Sequence, residues 1–293
     1  MTLEGEIANL KAVAQDYAAR FERIDNLVWP KGVRIAVNFT ADFDAMLLRR
    51  LHNEPPMQLA KGEFGGRVGV WRLIELFDSH GIKATFFTPG RICELYPRAL
   101  TAIVRSGHEL ADHMWEHRVP KEPDLERDHL RKTAAALEKI SGRRPVGSRS
   151  HHTPTLLRDE GYIYNSHGAA DHRPYYVLDG NGVPCLLELP FHFAIDDAMF
   201  FSFAWYTSAN SEQRLSDTDR VFDMWWAGFL QQYRQGGYLN ICLHPFVSGR
   251  ALRIAMLDRL IARMKGLPGV WFATCEDVAR HCLATHPPKG GAS

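Results

Sequence analysis

Residues 33–44 read VRIAVNFTADFD, a run rich in β-branched side chains followed at once by two aspartates. The run predicts a strand over 33–40. Outward from it, strand and helix signals alternate. Val70, Leu73, Ile74 and Phe77 fall on one face of a helix over 69–80, and Gly81 stops it as a C-cap glycine. A strand over 82–87 (IKATFF), a helix over 96–106 closed by Gly107 and a short strand over 108–111 come next. A helix over 124–140 ends at Gly142, and 144–149 leads into another strand. Thr153 and Pro154 are the candidate N-cap and first residue of a short helix over 153–159. Strands over 162–165 and 186–190, a long helix over 216–235 and a buried strand over 238–243 (YLNICL) follow. A helix over 251–264, a strand over 270–273 and a helix over 275–283 complete the pattern. Such alternation implies a parallel sheet covered by helices. Seven or eight units fit a (β/α) barrel, distorted or incomplete, with a doubly wound open sheet as the alternative.

Upstream, Ile7, Leu10, Ala14, Tyr17, Phe21 and Ile24 recur at helical spacing. This predicts an α/β chain in which residues 1–32 form a helical arm and linker, 33–285 the barrel and 286–293 a disordered tail. The arm is expected to pack across its own barrel or in a homo-oligomer interface. With 45% hydrophobic and 24% charged residues the 293-residue chain is globular rather than disordered. Thirty-five Lys and Arg against 34 Asp and Glu leave a net charge of +1, which points away from nucleic acid and from membrane surfaces. The start MTLEGEIANLKAVAQDYAARF lacks the basic and apolar segments of a secretion signal, so a cytoplasmic location is expected. Five scattered cysteines form no CxxC pair and suggest neither a disulfide framework nor a thiolate zinc site.

In parallel β/α folds functional side chains gather where strands end. Asp42 and Asp44 follow the first strand. Asp112, His113, Trp115, Glu116 and His117 follow the strand at 108–111. Arg149, His151 and His152 follow the next, Phe191 and His192 come after 186–190 with Asp196 and Asp197 further on, and His244 follows 238–243. Two residues apart in extended chain, Asp42 and Asp44 face the same side, although either could simply cap a turn. His113 and His117, four apart, would face one way from a helical turn and could chelate one divalent cation. Two histidines and a carboxylate are the usual donors of a hydrolytic metal site. Asp44 could supply the carboxylate and leave Asp42 free as a base. His244 reads either as a core histidine or as a general acid.

The ordered motifs TADFDA, HMWEH, the segment around Arg149 and LHP resemble those of the polysaccharide deacetylase (NodB-homology) superfamily. GEFGGRVGVWRLIELFDSHGIKATFFTPG and VWFATCEDVAR resemble its subgroup of allantoinase-like proteins, cyclic imide hydrolases and a peptidoglycan-deacetylase-like protein. The resemblance implies a distorted (β/α) barrel. It implies Asp44, His113 and His117 as ligands of a divalent ion, zinc foremost, with Asp42 as catalytic base and His244 as general acid. The third motif departs from the family's Arg-x-Pro pattern, reading Arg149-Ser150-His151-His152-Thr153-Pro154. Arg149, His151, His152, Trp115 and Asp171 are the candidate substrate contacts, with Arg149 also orienting Asp42 and with the metal as an alternative partner of His151 or His152. The expected activity is metal-dependent hydrolysis of a carbon–nitrogen amide bond in a small molecule, a cyclic imide or ureide. N-acetyl-sugar deacetylation is the alternative, and a non-catalytic ligand-binding barrel is the reading from another class.

Overall fold

The computed structural model describes residues 2–18, 20–202 and 216–288. Ten strands form one sheet: β1 (Phe21–Arg23), β2 (Ile35–Asp42), β3 (Thr85–Thr88), β4 (Glu109–Asp112), β5 (Gly147–Ser148), β6 (Tyr164–Asn165), β7 (Tyr175–Leu178), β8 (Pro184–Glu188), β9 (Tyr238–Leu243) and β10 (Val270–Phe272). They run in the order β1-β7-β8-β6-β5-β4-β3-β2-β10, with β9 also on β2. All pairs are parallel except β7 with its neighbours β1 and β8. β2 is the axis of the arrangement. β9 pairs with it over Ala36 to Ala41, so β10, at Ile35 to Val37, and β3, at Thr40 to Asp42, share its other edge.

The sheet curls into a distorted, incomplete barrel of the expected kind. The seam between β8 and β9 carries no backbone ladder. It holds an isolated bridge from Asp196 to Cys242, and side-chain bonds from Asn240 Nδ2 to the Leu189 carbonyl (3.3 Å) and to Ser166 Oγ (3.0 Å).

Alternation along β2 explains the two layers. Ile35, Val37, Phe39 and Ala41 point outward into the main core with Phe77, Phe86, Leu257 and Ile261 on or beside the covering helices. The opposite face points into the barrel. Its floor is closed by Trp29, Tyr164, Tyr238 and Phe87, with the Tyr238 hydroxyl donating to Asn38 Oδ1 and Asn38 Nδ2 to the Ala273 carbonyl. Above that floor the inward residues turn polar, and there the strands end.

The helix Val70–His80 stops at Gly81 and the helix Pro123–Ser141 at Gly142, both glycines being left-handed as the C-cap reading requires. Pro154 opens the helix Pro154–Asp159, but the Thr153 hydroxyl donates to Glu126 Oε2 (3.0 Å) instead of capping it. The helical spacing read as far as Asp25 gives way earlier. The helix covers Leu3–Ala18, and Phe21 lies in β1, an edge strand antiparallel to β7. Period alone cannot detect that an edge of the sheet is free to pair with the chain. Helix Pro56–Phe64 and the π-helical turn Gly65–Gly69 had no sequence signal. There Gly65 and Gly69 lie against the backbone of Pro245 and Phe246, where a side chain would collide, and so they let this segment brace the turn after β9. Of the expected tail, residues 289–293 lie outside the described residues. Among the described residues no helix is long and apolar enough to cross a membrane.

Candidate active site

Five strand ends meet above the floor. Asp42 is the last residue of β2 and Asp44 lies two beyond it. His113 follows β4, Arg149 follows β5, Ser166 follows β6 and His244 follows β9. The cluster expected from the strand ends is therefore real in space.

Asp44, His113 and His117 form a compact group. His113 Nε2 is 3.4 Å from Asp44 Oδ1, His117 Nε2 is 3.7 Å from Asp44 Oδ2, and the two imidazole rings stand nearly perpendicular at 4.8 Å. His113 Nδ1 points at the Arg149 carbonyl, which can only accept, so this nitrogen carries the proton and Nε2 presents its lone pair to the aspartates. The residues between the histidines are not helical, contrary to the reading from their spacing. They form a turn in which Met114 and His117 adopt positive φ. Asp112 shapes it, accepting from the Met114 N–H at Oδ1 and from the Tyr162 hydroxyl at Oδ2, each at 2.8 Å. Four described non-glycine residues have positive φ, and three of them, Ala45, Met114 and His117, lie in the two loops that carry this group.

These residues fit a divalent cation. Both carboxylate oxygens of Asp44 and Nε2 of His113 are buried without a hydrogen-bond partner, a costly state for polar atoms that a cation would relieve.

Asp42 is held from beneath. Arg149 Nη1 donates to its Oδ1 at 2.6 Å, and the guanidinium is sandwiched between the rings of Phe87 and Phe191. The remaining Arg149 donors reach the Ser166 carbonyl and hydroxyl and Asn240 Oδ1. Burial alone would raise the Asp42 carboxyl, but the charges of Arg149, His113 and His244 outweigh it and hold it at about 2. Arg149 is 1% exposed and its donors are engaged, so it supports Asp42 and does not line the substrate space as expected.

At the end of the adjacent strand β9, Asp197 receives both the backbone N–H of His244 (2.9 Å) and its Nδ1 (2.7 Å), while Asp196 lies 3.7 Å from Nδ1. Burial by itself lowers this imidazole. Asp197, Asp196 and Asp42 reverse the effect and push it up to about 10, so it carries a proton at neutral pH.

Three other expected contacts lie elsewhere. Trp115 is buried, with Arg91 and Lys132 over its ring. His152 turns inward to Glu126, its Nδ1 3.1 Å from Oε1. Asp171 accepts from Arg23 of β1 at 2.7 Å, which ties the edge strand down. His151 alone of its pair is exposed, and it packs against His167 with ring centroids 3.8 Å apart. Burial, then the neighbouring His151, Arg149 and His113, push His167 down to about 4. Burial and His117 lower His151. His167, Ser166, Asn240 and the Asp197 partnership escaped the sequence reading.

The sequence profile described as polysaccharide deacetylase matches residues 63–165. A crystal structure from Mycobacterium smegmatis, provisionally titled a polysaccharide deacetylase, superposes with a TM-score of 0.81 at 30% identity, covering 91% of this chain and 97% of that one. The chain belongs to the polysaccharide deacetylase family. A curated relative, the peptidoglycan deacetylase of Helicobacter pylori, is 29% identical over 268 residues, 80% of this chain and 91% of that protein. The structure of PuuE allantoinase superposes with a TM-score of 0.78 at 26% identity, covering 90% of this chain and 96% of that one. Like its family, this polysaccharide deacetylase homologue is a hydrolase of carbon–nitrogen bonds other than peptide bonds. The family works with a divalent cation, and the Asp44 group is a candidate place for it.

Proposed function

We propose that this enzyme opens a small amide, a cyclic imide or ureide, and that the neighbouring pair of Asp42 and His244 carries the reaction. The observation behind this is their opposite partners: Arg149 Nη1 donates to Asp42 Oδ1, and Asp197 receives the ring and backbone N–H of His244. Asp42 is held ionised by Arg149, and His244 is held protonated by Asp197. A base and an acid kept in opposite states are what hydrolysis of an amide requires. Asp44, His113 and His117 would hold the cation, and their Asp–His–His donor set suits zinc, with cobalt, manganese or iron as competitors. When bound, the cation supplies Lewis acidity for the carbonyl and for the attacking water. Asp42 takes the water's proton as the oxygen attacks the carbonyl carbon. His244 gives its proton to the departing nitrogen, and the carbon–nitrogen bond breaks. Arg149 keeps the Asp42 carboxylate aimed throughout.

The small substrate is favoured by His151 and His167. Neutral imidazoles each offer one donor and one acceptor, which suits the alternating N–H and C=O groups of an imide or ureide ring. The likeness to an allantoinase structure supports the same reading. The second reading, N-acetyl-sugar deacetylation, is favoured by the Helicobacter pylori relative. Metal analysis of the purified protein, with a substrate panel of cyclic imides, ureides and acetylated chito-oligosaccharides, tests both. Ring opening without acetate release is the expected result, and acetate release alone would reverse the order.

A further inference from the structure

Along β9, Asn240 and Cys242 face the barrel interior, and His244 follows in the same alternation. β2 sets Thr40 directly beside Cys242 and Asp42 one step above. A carboxylate oxygen of Asp42, the Cys242 sulfur and an imidazole nitrogen of His244 thus lie within 4.8 Å of one another, all on buried residues. The hydrolytic reading employs Asp42 and His244 but gives Cys242 no task. Asp197 ties down His244 Nδ1, which leaves Nε2 for whatever enters, and a metal taken there displaces the Nε2 proton. A histidine bonded to a carboxylate through its second nitrogen is the arrangement of protein zinc sites. Adding a thiolate and a carboxylate completes a donor set for soft and borderline cations.

We propose that Asp42, Cys242 and His244 form a second, inhibitory site for a thiophilic divalent cation such as zinc or cadmium. Asp42 Oδ2 stands between the two groups, 3.7 Å from His113 Nε2 on one side and 3.7 Å from Cys242 Sγ on the other. An ion captured here takes the base and the acid together, so occupancy and inhibition coincide. Capture replaces the Cys242 sulfur–hydrogen bond and the His244 Nε2–hydrogen bond by bonds to the metal and releases two protons to solvent, with no change of oxidation state. Two features make the site the weaker of the two. Burial pushes the Cys242 thiol well up, and the Arg149 guanidinium sits 3.3 Å from the sulfur. The Asp44 group therefore fills first, and the second site fills only in excess metal. Magnesium and calcium, which prefer oxygen donors, are excluded.

The test is a cadmium titration of protein already carrying one equivalent of zinc. It follows cadmium–thiolate charge-transfer absorption, bound metal and hydrolysis of a cyclic imide. The absorption is expected to rise in step with the loss of activity, to one further equivalent, and magnesium should produce neither effect. Cys242→Ser keeps a small polar side chain but cannot form the thiolate. It should show no absorption band. Its half-inhibiting cadmium concentration, relative to its own uninhibited rate, should rise at least about 10-fold, the low end of what even an outer partner of a metal ligand contributes. Unchanged inhibition in Cys242→Ser would overturn the proposal, as would a persisting band, which would move the cadmium to another cysteine. His113→Ala separates this proposal from the catalytic assignment. It should lose the first ion and the activity yet keep the thiolate band, and loss of the band would overturn the second site as an independent one.

Discussion

The two sides of the barrel mouth are built on opposite terms. On one side, Asp44 and His113 are buried with their reactive atoms facing one another and bonded to nothing. On the other, His244 is equally buried, yet Asp197 receives both its backbone and its ring N–H. Burying unpaired polar atoms is costly, so the first cluster fits a positive ion that would relieve that cost. The second already has its counter-charge and needs none; its partnership stores a proton. Groups with the same donor chemistry thus suit a cation or the proposed acid role according to whether the fold supplies partners.

The largest effect should come from breaking the unpartnered side. His113→Ala or His117→Ala is expected to abolish bound metal in elemental analysis and to remove nearly all turnover. The circular dichroism spectrum should stay unchanged, since neither ring fills the hydrophobic core. A fully active, metal-free variant would refute the assignment. Next is Asp42→Asn, which keeps the shape of the side chain but removes its negative charge and cannot accept a proton. It should retain the metal and lose about 10²–10⁴ in kcat, the usual cost of a missing general base. If metal is lost instead, Asp42 and Asp44 have exchanged roles.

The partnered side gives a smaller, pH-resolved effect. Asp197→Asn should lower kcat by about 10–100-fold, as when the outer partner of a functional histidine is lost. The stability of the metal-free protein carries the sign. His244 is raised from its ordinary 6.5 to about 10, so its contribution is complete below 6.5 and disappears as pH rises toward 10. Thermal melts should therefore fall across that window in the unaltered chain and stay flatter in Asp197→Asn. The smallest effect is reserved for a residue outside the mouth. Asp171→Ala breaks a pair whose Arg23 partner is largely exposed. It should leave kcat/KM within about 2-fold and change stability by roughly 0–1 kcal/mol, the range of exposed ion pairs. A large loss of imide affinity would return Asp171 to the substrate space.

Much of this contrast can be read from the chain. The alternation of strand and helix signals fixes a parallel sheet, and a parallel sheet sends chemistry to the ends of its strands. Asp42, Asp44, His113, His117, Arg149 and His244 could be picked out on that ground, because position along a strand is a local property. Local spacing also misleads. The four-residue step from His113 to His117 matches a helix, yet the chain makes a left-handed turn there. Asp112 and Tyr162, fifty residues apart, hold that turn from outside it.

The adjacent pair His151 and His152 had to diverge, but which one faced the mouth depended on Glu126 arriving from the helix Pro123–Ser141. Whether β1 would exist depended on an open sheet edge beside β7. The sequence by itself determined which residue types stand at each strand end, since that follows from periodicity and from where apolar runs stop. Only the tertiary structure decided which of those side chains are left without a partner and which are given one. Partners such as Asp197 for His244 come from elements forty-seven residues away, and their meeting is a consequence of packing.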